Sequence, residues 1–147
     1  MVIDADGLNA IGGRGLKLRS NIVLTPHMGE LKRLGAKDAG DVCKVASALG
    51  CWILLKGPED IITDGTVTYR NRTGTPAMTS AGTGDVLAGT VAGLMALGMP
   101  APDAARLGAY VVGKAGEYAE VNFGGGLRAT DLPDLVASII HAGTESR

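Results

Sequence analysis

Short uninterrupted apolar runs recur along the chain, each stopped by polar or turn-forming residues. Met1-Val2-Ile3-Asp4-Ala5-Asp6-Gly7 reads as a buried strand reaching its carboxyl end in acidic residues and a turn glycine. Asn21-Ile22-Val23-Leu24-Thr25 is a second strand, stopped by Pro26, and Cys51-Trp52-Ile53-Leu54-Leu55 a third, ending at Lys56-Gly57-Pro58. None alternates apolar with polar, which is the pattern of parallel strands covered on both faces. Between them, residues 29–34 and 39–49 predict helices, the second closed by Gly50 as a C′ glycine. Ile61-Ile62-Thr63 and Val67-Thr68-Tyr69-Arg70 flank Asp64-Gly65, a hairpin signature. Residues 86–97 predict a helix buried on most sides, broken by Pro100 and Pro102. Asp103 is expected to cap the next helix, where Ala104, Leu107, Val111, Ala115 and Tyr118 keep three- and four-residue spacing. Gly124-Gly125-Gly126 reads as a flexible joint, and Thr130 or Asp131 as the cap of a last short helix through Ile140. The final residues are expected to fray. This order predicts one α/β layered domain over residues 1–147 with a mostly parallel sheet.

Composition narrows the function classes. Glycine supplies 23 of 147 residues, well above the usual figure of roughly 7%. With 46% hydrophobic and 20% charged residues the chain is not of the disordered class. Fourteen Lys+Arg against 15 Asp+Glu give a net charge of −1, with no electrostatic grip on nucleic acid or anionic lipid. Five aromatic residues are too few for a base-stacking surface. Cys43 and Cys51 have no Cys or His cluster around them, so neither a zinc site nor a disulfide framework is indicated. Asp4 and Asp6 interrupt the first apolar stretch, against a signal peptide. The uncharged stretch between Asp85 and Asp103 carries glycines and two prolines and reads as a core helix rather than a membrane span. A cytoplasmic protein is expected.

Ala81-Gly82-Thr83-Gly84-Asp85 opens the buried helix and is the most informative segment. Glycines let successive backbone N–H groups converge, and the helix start adds partial positive charge. Such a turn holds an anion, typically phosphate or a transferring phosphoryl group. Asp85, in the first turn, could accept a proton from a hydroxyl attacking phosphorus, or could serve only as a favourable first-turn acid. The segment is no Walker A loop, lacking Gly-Lys-Ser/Thr, and no dinucleotide fingerprint, since Leu87 stands where the third glycine would be. Lys56-Gly57 at a strand end could meet phosphate as a point charge, or be a solvated turn lysine. In Thr25-Pro26-His27-Met28-Gly29-Glu30, His27 could hydrogen-bond a polar ligand and Glu30 could orient metal-bound water; a turn histidine is the plain alternative. Asp4, Asp6 and Asn9 could touch ligand, with capping of the next helix the safer reading.

Four strand ends delivering Asp, His/Glu, Lys-Gly and Gly-Thr-Gly-Asp to one sheet edge carry a resemblance. Asp4-Ala5-Asp6-Gly7-Leu8-Asn9, Thr25-Pro26-His27-Met28-Gly29-Glu30, Leu55-Lys56-Gly57 and Ala81-Gly82-Thr83-Gly84-Asp85-Val86-Leu87-Ala88-Gly89 closely resemble the ADP/ATP-dependent NAD(P)H-hydrate dehydratases of the ribokinase-like superfamily. The motifs run in order from the first residues. Met28 stands where that family usually has proline, Pro58 where alanine is common, and Thr83 where serine is frequent.

The resemblance implies a three-layer α/β/α ribokinase-like fold and the repair of NADH or NADPH hydrated at the nicotinamide ring. ADP or ATP, with Mg²⁺, would phosphorylate the hydrate hydroxyl, and loss of phosphate would restore the double bond, ADP giving AMP. By matching positions, Asp85 would be the catalytic base touching the substrate. Lys56, Gly57, Pro58, Glu59, Asp60, Gly82, Thr83 and Gly84 would line the adenine nucleotide, His27 would contact the hydrated dinucleotide, and Glu30 would act near Mg²⁺. The resemblance also implies a further N-terminal part of the fold, with a Gly-Pro-Gly turn that has no equivalent here. From that follows the expectation of a partial domain needing self-association or a complementing N-terminal chain. Two alternatives stay open: a ribokinase-like small-molecule kinase, and a non-catalytic nucleotide-binding or assembly subunit.

Overall fold

A computed structural model describes residues 1–145. Five strands form one sheet in sequence order: β1 (Val2–Ile3), β2 (Val23–Leu24), β3 (Trp52–Leu55), β4 (Asp60–Thr63) and β5 (Thr68–Asn71). The pairs β1–β2 and β2–β3 are parallel, whereas β3–β4 and β4–β5 are antiparallel. The sheet is therefore evenly mixed, not mostly parallel as expected. Two short turns are the reason: residues 56–59 return the chain from β3 into β4, and Asp64-Gly65 returns it from β4 into β5, so both strands extend the sheet without a helical crossover.

Period-two alternation divides the apolar runs between two faces. Val23, Trp52, Leu54 and Ile62 pack on one side with α4 (Thr83–Ala96), α5 (Ala101–Phe123) and α6 (Leu132–Glu145). Leu24, Ile53 and Leu55 pack on the other with Leu8 of α1 (Asp6–Ile11), Leu31 of α2 (Met28–Arg33) and Val42, Val45 and Ala46 of α3 (Val42–Leu49). Each strand run thus serves two cores, giving the three-layer α/β/α arrangement, and this is why those runs contain no polar residue. Gly50 ends α3 in the left-handed region, φ 70°, as its place in the sequence anticipates.

Other local expectations are corrected. Asp103 does not cap α5. The helix starts earlier, with Pro100 at the N-cap and Pro102 in the first turn, where a missing N–H costs nothing, and Asp103 pairs with Arg106 at 3.3 Å. Gly124–Gly126 forms a 3-10 turn rather than a loose joint. Asp131 closes another 3-10 turn, accepting from the Arg128 N–H at 2.9 Å, and α6 runs on to Glu145 rather than stopping at Ile140. Residues 146–147, the end of the stretch expected to fray, lie outside the described residues.

Candidate active site

Because β1, β2 and β3 run parallel, their carboxyl ends share one edge of the sheet. Asp4 follows β1, Thr25-Pro26-His27 follows β2, and Lys56 follows β3. The Lys56 N–H donates to the Pro26 carbonyl at 2.8 Å, and His27 and Lys56 pair in parallel register just past the strands. Lys56 Nζ then reaches Asp4 Oδ1 at 3.0 Å, with 20% and 14% of the two side chains exposed. The capping expectation for Asp4 is therefore wrong. Its carboxylate joins β1 to β3, and α1 starts with no side-chain cap at all. Asp6 accepts from Asn9 Nδ2 at 3.3 Å inside α1.

The glycine-rich turn comes to the same place. Gly82 is the N-cap of α4 at φ 93°, a conformation side chains resist, and a β-carbon there would also press on Ala129 at 3.0 Å. Gly84 stands against the lysine: a β-carbon on it would lie 3.2 Å from Lys56 Nζ. Among the described residues, the N–H groups of Gly84 and Asp85 donate to no acceptor, as first-turn helix amides do unless capped. Asp85 is exposed in that turn, and its carboxylate has no hydrogen-bond or ion-pair partner among the described residues. The edge therefore offers free amides, a helix N-terminus and an ammonium for an anion, beside an unengaged carboxylate.

Other expected site residues have structural duties. The Thr83 hydroxyl lies 2.6 Å from the Met78 carbonyl and 3.0 Å from the Ser80 carbonyl, so it braces the turn from within. His27 caps α2: its Nδ1 accepts from Gly29 N at 2.9 Å and Glu30 N at 3.3 Å, which puts the ring proton on Nε2, on a side chain 57% exposed. Glu30 is buried and completes the capping box, its Oε2 accepting from the His27 N–H at 2.8 Å. That reciprocal cap fixes the histidine at the sheet edge. Gly57 donates its N–H to Asp60 Oδ1 at 3.1 Å, and Asp60 Oδ2 accepts from Asn71 at 3.0 Å. Burial pushes the Asp60 carboxyl above its ordinary value, partly offset by those two donors. Glu59 sits between the guanidinium groups of Arg70 and Arg72, which hold it below the usual carboxylate range, Arg72 foremost. Pro58 is exposed at the tip of that turn. Asp60 and Glu59 thus anchor the hairpin that carries Lys56-Gly57.

Thr25 was not singled out in the sequence. It is fully buried at the end of β2, and its hydroxyl has no partner among the described residues. Alternation from Val23 places it on the α4 side of the sheet. Two surface cavities, of about 490 and 620 Å³, lie elsewhere, one between β5 and α5 and one beside Gly12, Gly35 and Lys44. Neither is lined by His27, Lys56, Gly84 or Asp85, so the site is an open edge and not one of these hollows.

The model of one protein family, NAD(P)H-hydrate dehydratase, matches residues 1–138. The chain belongs to the NAD(P)H-hydrate dehydratase family. The bifunctional NAD(P)H-hydrate repair enzyme Nnr of Methanopyrus kandleri is 44% identical over 150 residues, covering 95% of this chain and 30% of that protein. The ADP-dependent (S)-NAD(P)H-hydrate dehydratase of Cenarchaeum symbiosum is 42% identical over 128 residues, covering 82% of this chain and 45% of that one. Among solved structures, the ADP/ATP-dependent NAD(P)H-hydrate dehydratase of Bacillus subtilis co-crystallised with ATP/Mg²⁺ superposes with a TM-score of 0.85 at 26% identity, over 96% of this chain and 54% of that one. A ribokinase-like superfamily protein of Enterococcus faecalis shares the fold, with a TM-score of 0.83 at 23% identity over 96% of this chain and 52% of that one. The chain spans under a third of the Methanopyrus enzyme and about half of the Bacillus dehydratase.

Proposed function

We propose that this protein dehydrates hydrated NADH or NADPH with an adenine nucleotide as phosphoryl donor. One observation carries the reading: Gly84, at the start of α4, stands against the Lys56 ammonium while Asp85, next in the chain, has a free carboxylate. The names of its relatives support the same substrate pair.

The terminal phosphate of ADP or ATP would lie on the Gly84 and Asp85 amides, its charge met by Lys56 and the helix N-terminus. The hydrate hydroxyl attacks that phosphorus and Asp85 takes its proton, so the bond to the departing nucleotide breaks and ADP leaves as AMP. Phosphate then leaves the ring carbon with its bonding electrons, a proton leaves the adjacent ring carbon, and the double bond returns. The exposed His27 ring, held by its own cap, contacts the dinucleotide. No group of three or more His, Cys, Asp or Glu side chains that could hold a metal occurs among the described residues. Mg²⁺ would therefore be held chiefly by the nucleotide phosphates, and Glu30, whose Oε2 is spent on the His27 N–H, would act on it through water. When bound, Mg²⁺ supplies charge neutralisation on those phosphates. A cytoplasmic setting and association with a further chain or a second copy belong to this same reading.

Incubation with NADH hydrate and Mg·ADP, then Mg·ATP, tests it. Recovery of reduced-nicotinamide absorbance, with AMP and phosphate released from ADP, is the expected result. Nucleotide binding without recovery would favour a non-catalytic nucleotide-binding subunit. Phosphorylation of a small alcohol in its place would favour a kinase.

A further inference from the structure

Loop 73–80 leads into the anion-binding turn, and one helix holds it at successive points. The Thr73 hydroxyl lies 2.9 Å from Asn71 Oδ1 and 3.1 Å from the Tyr110 carbonyl of α5. The Gly74 N–H donates to Glu117 Oε1 at 3.0 Å, and Glu117 Oε2 accepts from Lys114 at 2.7 Å. The same face of α5 has no room for side chains where the loop crosses it. A β-carbon on Gly113 would meet Thr73 Oγ1 at 2.1 Å, and one on Gly116 would meet Met78 Sδ at 2.1 Å. The contact is handed on, because Met78 offers its carbonyl to the Thr83 hydroxyl at 2.6 Å, between Gly82 and Gly84. One turn earlier, Gly108 lets Val91 of α4 approach so closely that a β-carbon would come within 2.6 Å.

We infer that α5 is the template for the anion-binding turn, with Glu117 the positioning residue that holds loop 73–80 so that Thr83 fixes the amides of Gly84 and Asp85. Glu117 acts through the Gly74 N–H, Met78 and Thr83, along a loop that also rests on the glycine face of α5. Gly74 is half-buried, so losing the Glu117 acceptor leaves its amide poorly paired and lets Gly74 and its neighbours seek other partners. Only the last link, from turn geometry to nucleotide affinity, rests on the proposed function.

The test compares Glu117→Ala with Glu117→Gln in the full chain, since glutamine still offers an oxygen to the Gly74 N–H. Two readouts are taken: amide NMR positions of residues 82–85, and Mg·ADP affinity by calorimetry. Glu117→Ala is expected to shift those amides and weaken ADP binding roughly ten-fold. Glu117→Gln should restore both to within about two-fold of the parent, and Tyr118→Ala, at an exposed neighbour, should change neither. A folded Glu117→Ala protein with unshifted amides would overturn the inference. If that variant does not fold, Gly116→Ala decides by the same two readouts, its methyl displacing Met78; unshifted amides would again overturn it. Shifted amides in a protein whose parent form binds no ADP would support the positioning role and overturn the nucleotide reading.

Discussion

Lys56 and Asp4 form a 3.0 Å ion pair that ties the tip of β3 to the tip of β1, across 52 positions of sequence. Both side chains are largely buried, so leaving either alone strands a charge. A double-mutant cycle with Asp4→Ala and Lys56→Ala is expected to give a coupling of about 1–3 kcal/mol in denaturant unfolding. Coupling near zero would show that the pair does not hold the strand tips together. Lys56→Ala should also weaken Mg·ADP binding about ten-fold or more, as a charge-assisted phosphate contact is lost.

Asp85 has no partner among the described residues, so its replacement reads chemistry rather than folding. Asp85→Asn should lower turnover by about 10²–10⁴-fold, the usual range for a general base. Nucleotide affinity and the unfolding midpoint should stay near the parent values. Full activity in this variant would remove the aspartate from the mechanism.

Glu117 makes stability depend on pH in a defined direction. The Lys114 ammonium, and then the Gly74 N–H, hold its carboxyl below the ordinary 4.5. Its contribution is therefore complete above about that pH and is lost as pH falls through the lower folded-state value. Unfolding midpoints measured on acidification should fall more steeply for the parent than for Glu117→Gln. Parallel curves would mean that the carboxylate charge contributes nothing there.

Burial pushes the Cys51 thiol up to about 12. Thiolate is the reactive form, so Cys51 should resist alkylation in the native protein and label only on unfolding. Mass spectrometry of the native, alkylated protein checks this. Rapid labelling of Cys51 would show that the core under β3 opens readily.

The strands were legible because a run covered on both faces contains no polar residue, and the hairpin because Asp-Gly suits a tight reversal. Gly50 showed the end of α3 for a similar local reason. What escaped was set by distance along the chain. No local pattern reveals that Asp4 spends its carboxylate on Lys56, so capping looked the safer reading. Lys56 and Gly84 were each singled out for phosphate, yet their contact becomes visible only when α4 is laid over β1. The hairpin contacts of Glu59 and Asp60, with Arg70, Arg72 and Asn71, are likewise set by pairing between strands and carry no local signal. For Glu59 the signal lies further along, in Arg70 on β5 and Arg72 just past its end, two apart along the chain. The start of α5 lies before Asp103 because a helix accepts proline in its first turn, so Pro102 does not break it. The evenly mixed sheet needs a second reversal besides Asp64-Gly65: the turn at residues 56–59 sets β4 antiparallel to β3, and Lys56-Gly57-Pro58 marks only the end of a strand, not the direction of the next.

The central claim is that phosphate rests between the start of α4 and the tip of β3. A crystal structure of the protein with Mg·ADP tests it most directly. The terminal phosphate is expected within hydrogen-bond reach of the Gly84 N–H and Lys56 Nζ, with the Asp85 carboxylate facing the side from which a hydroxyl would attack. Nucleotide density confined to either of the two surface cavities, with the Gly82–Gly84 turn left bare, would contradict it.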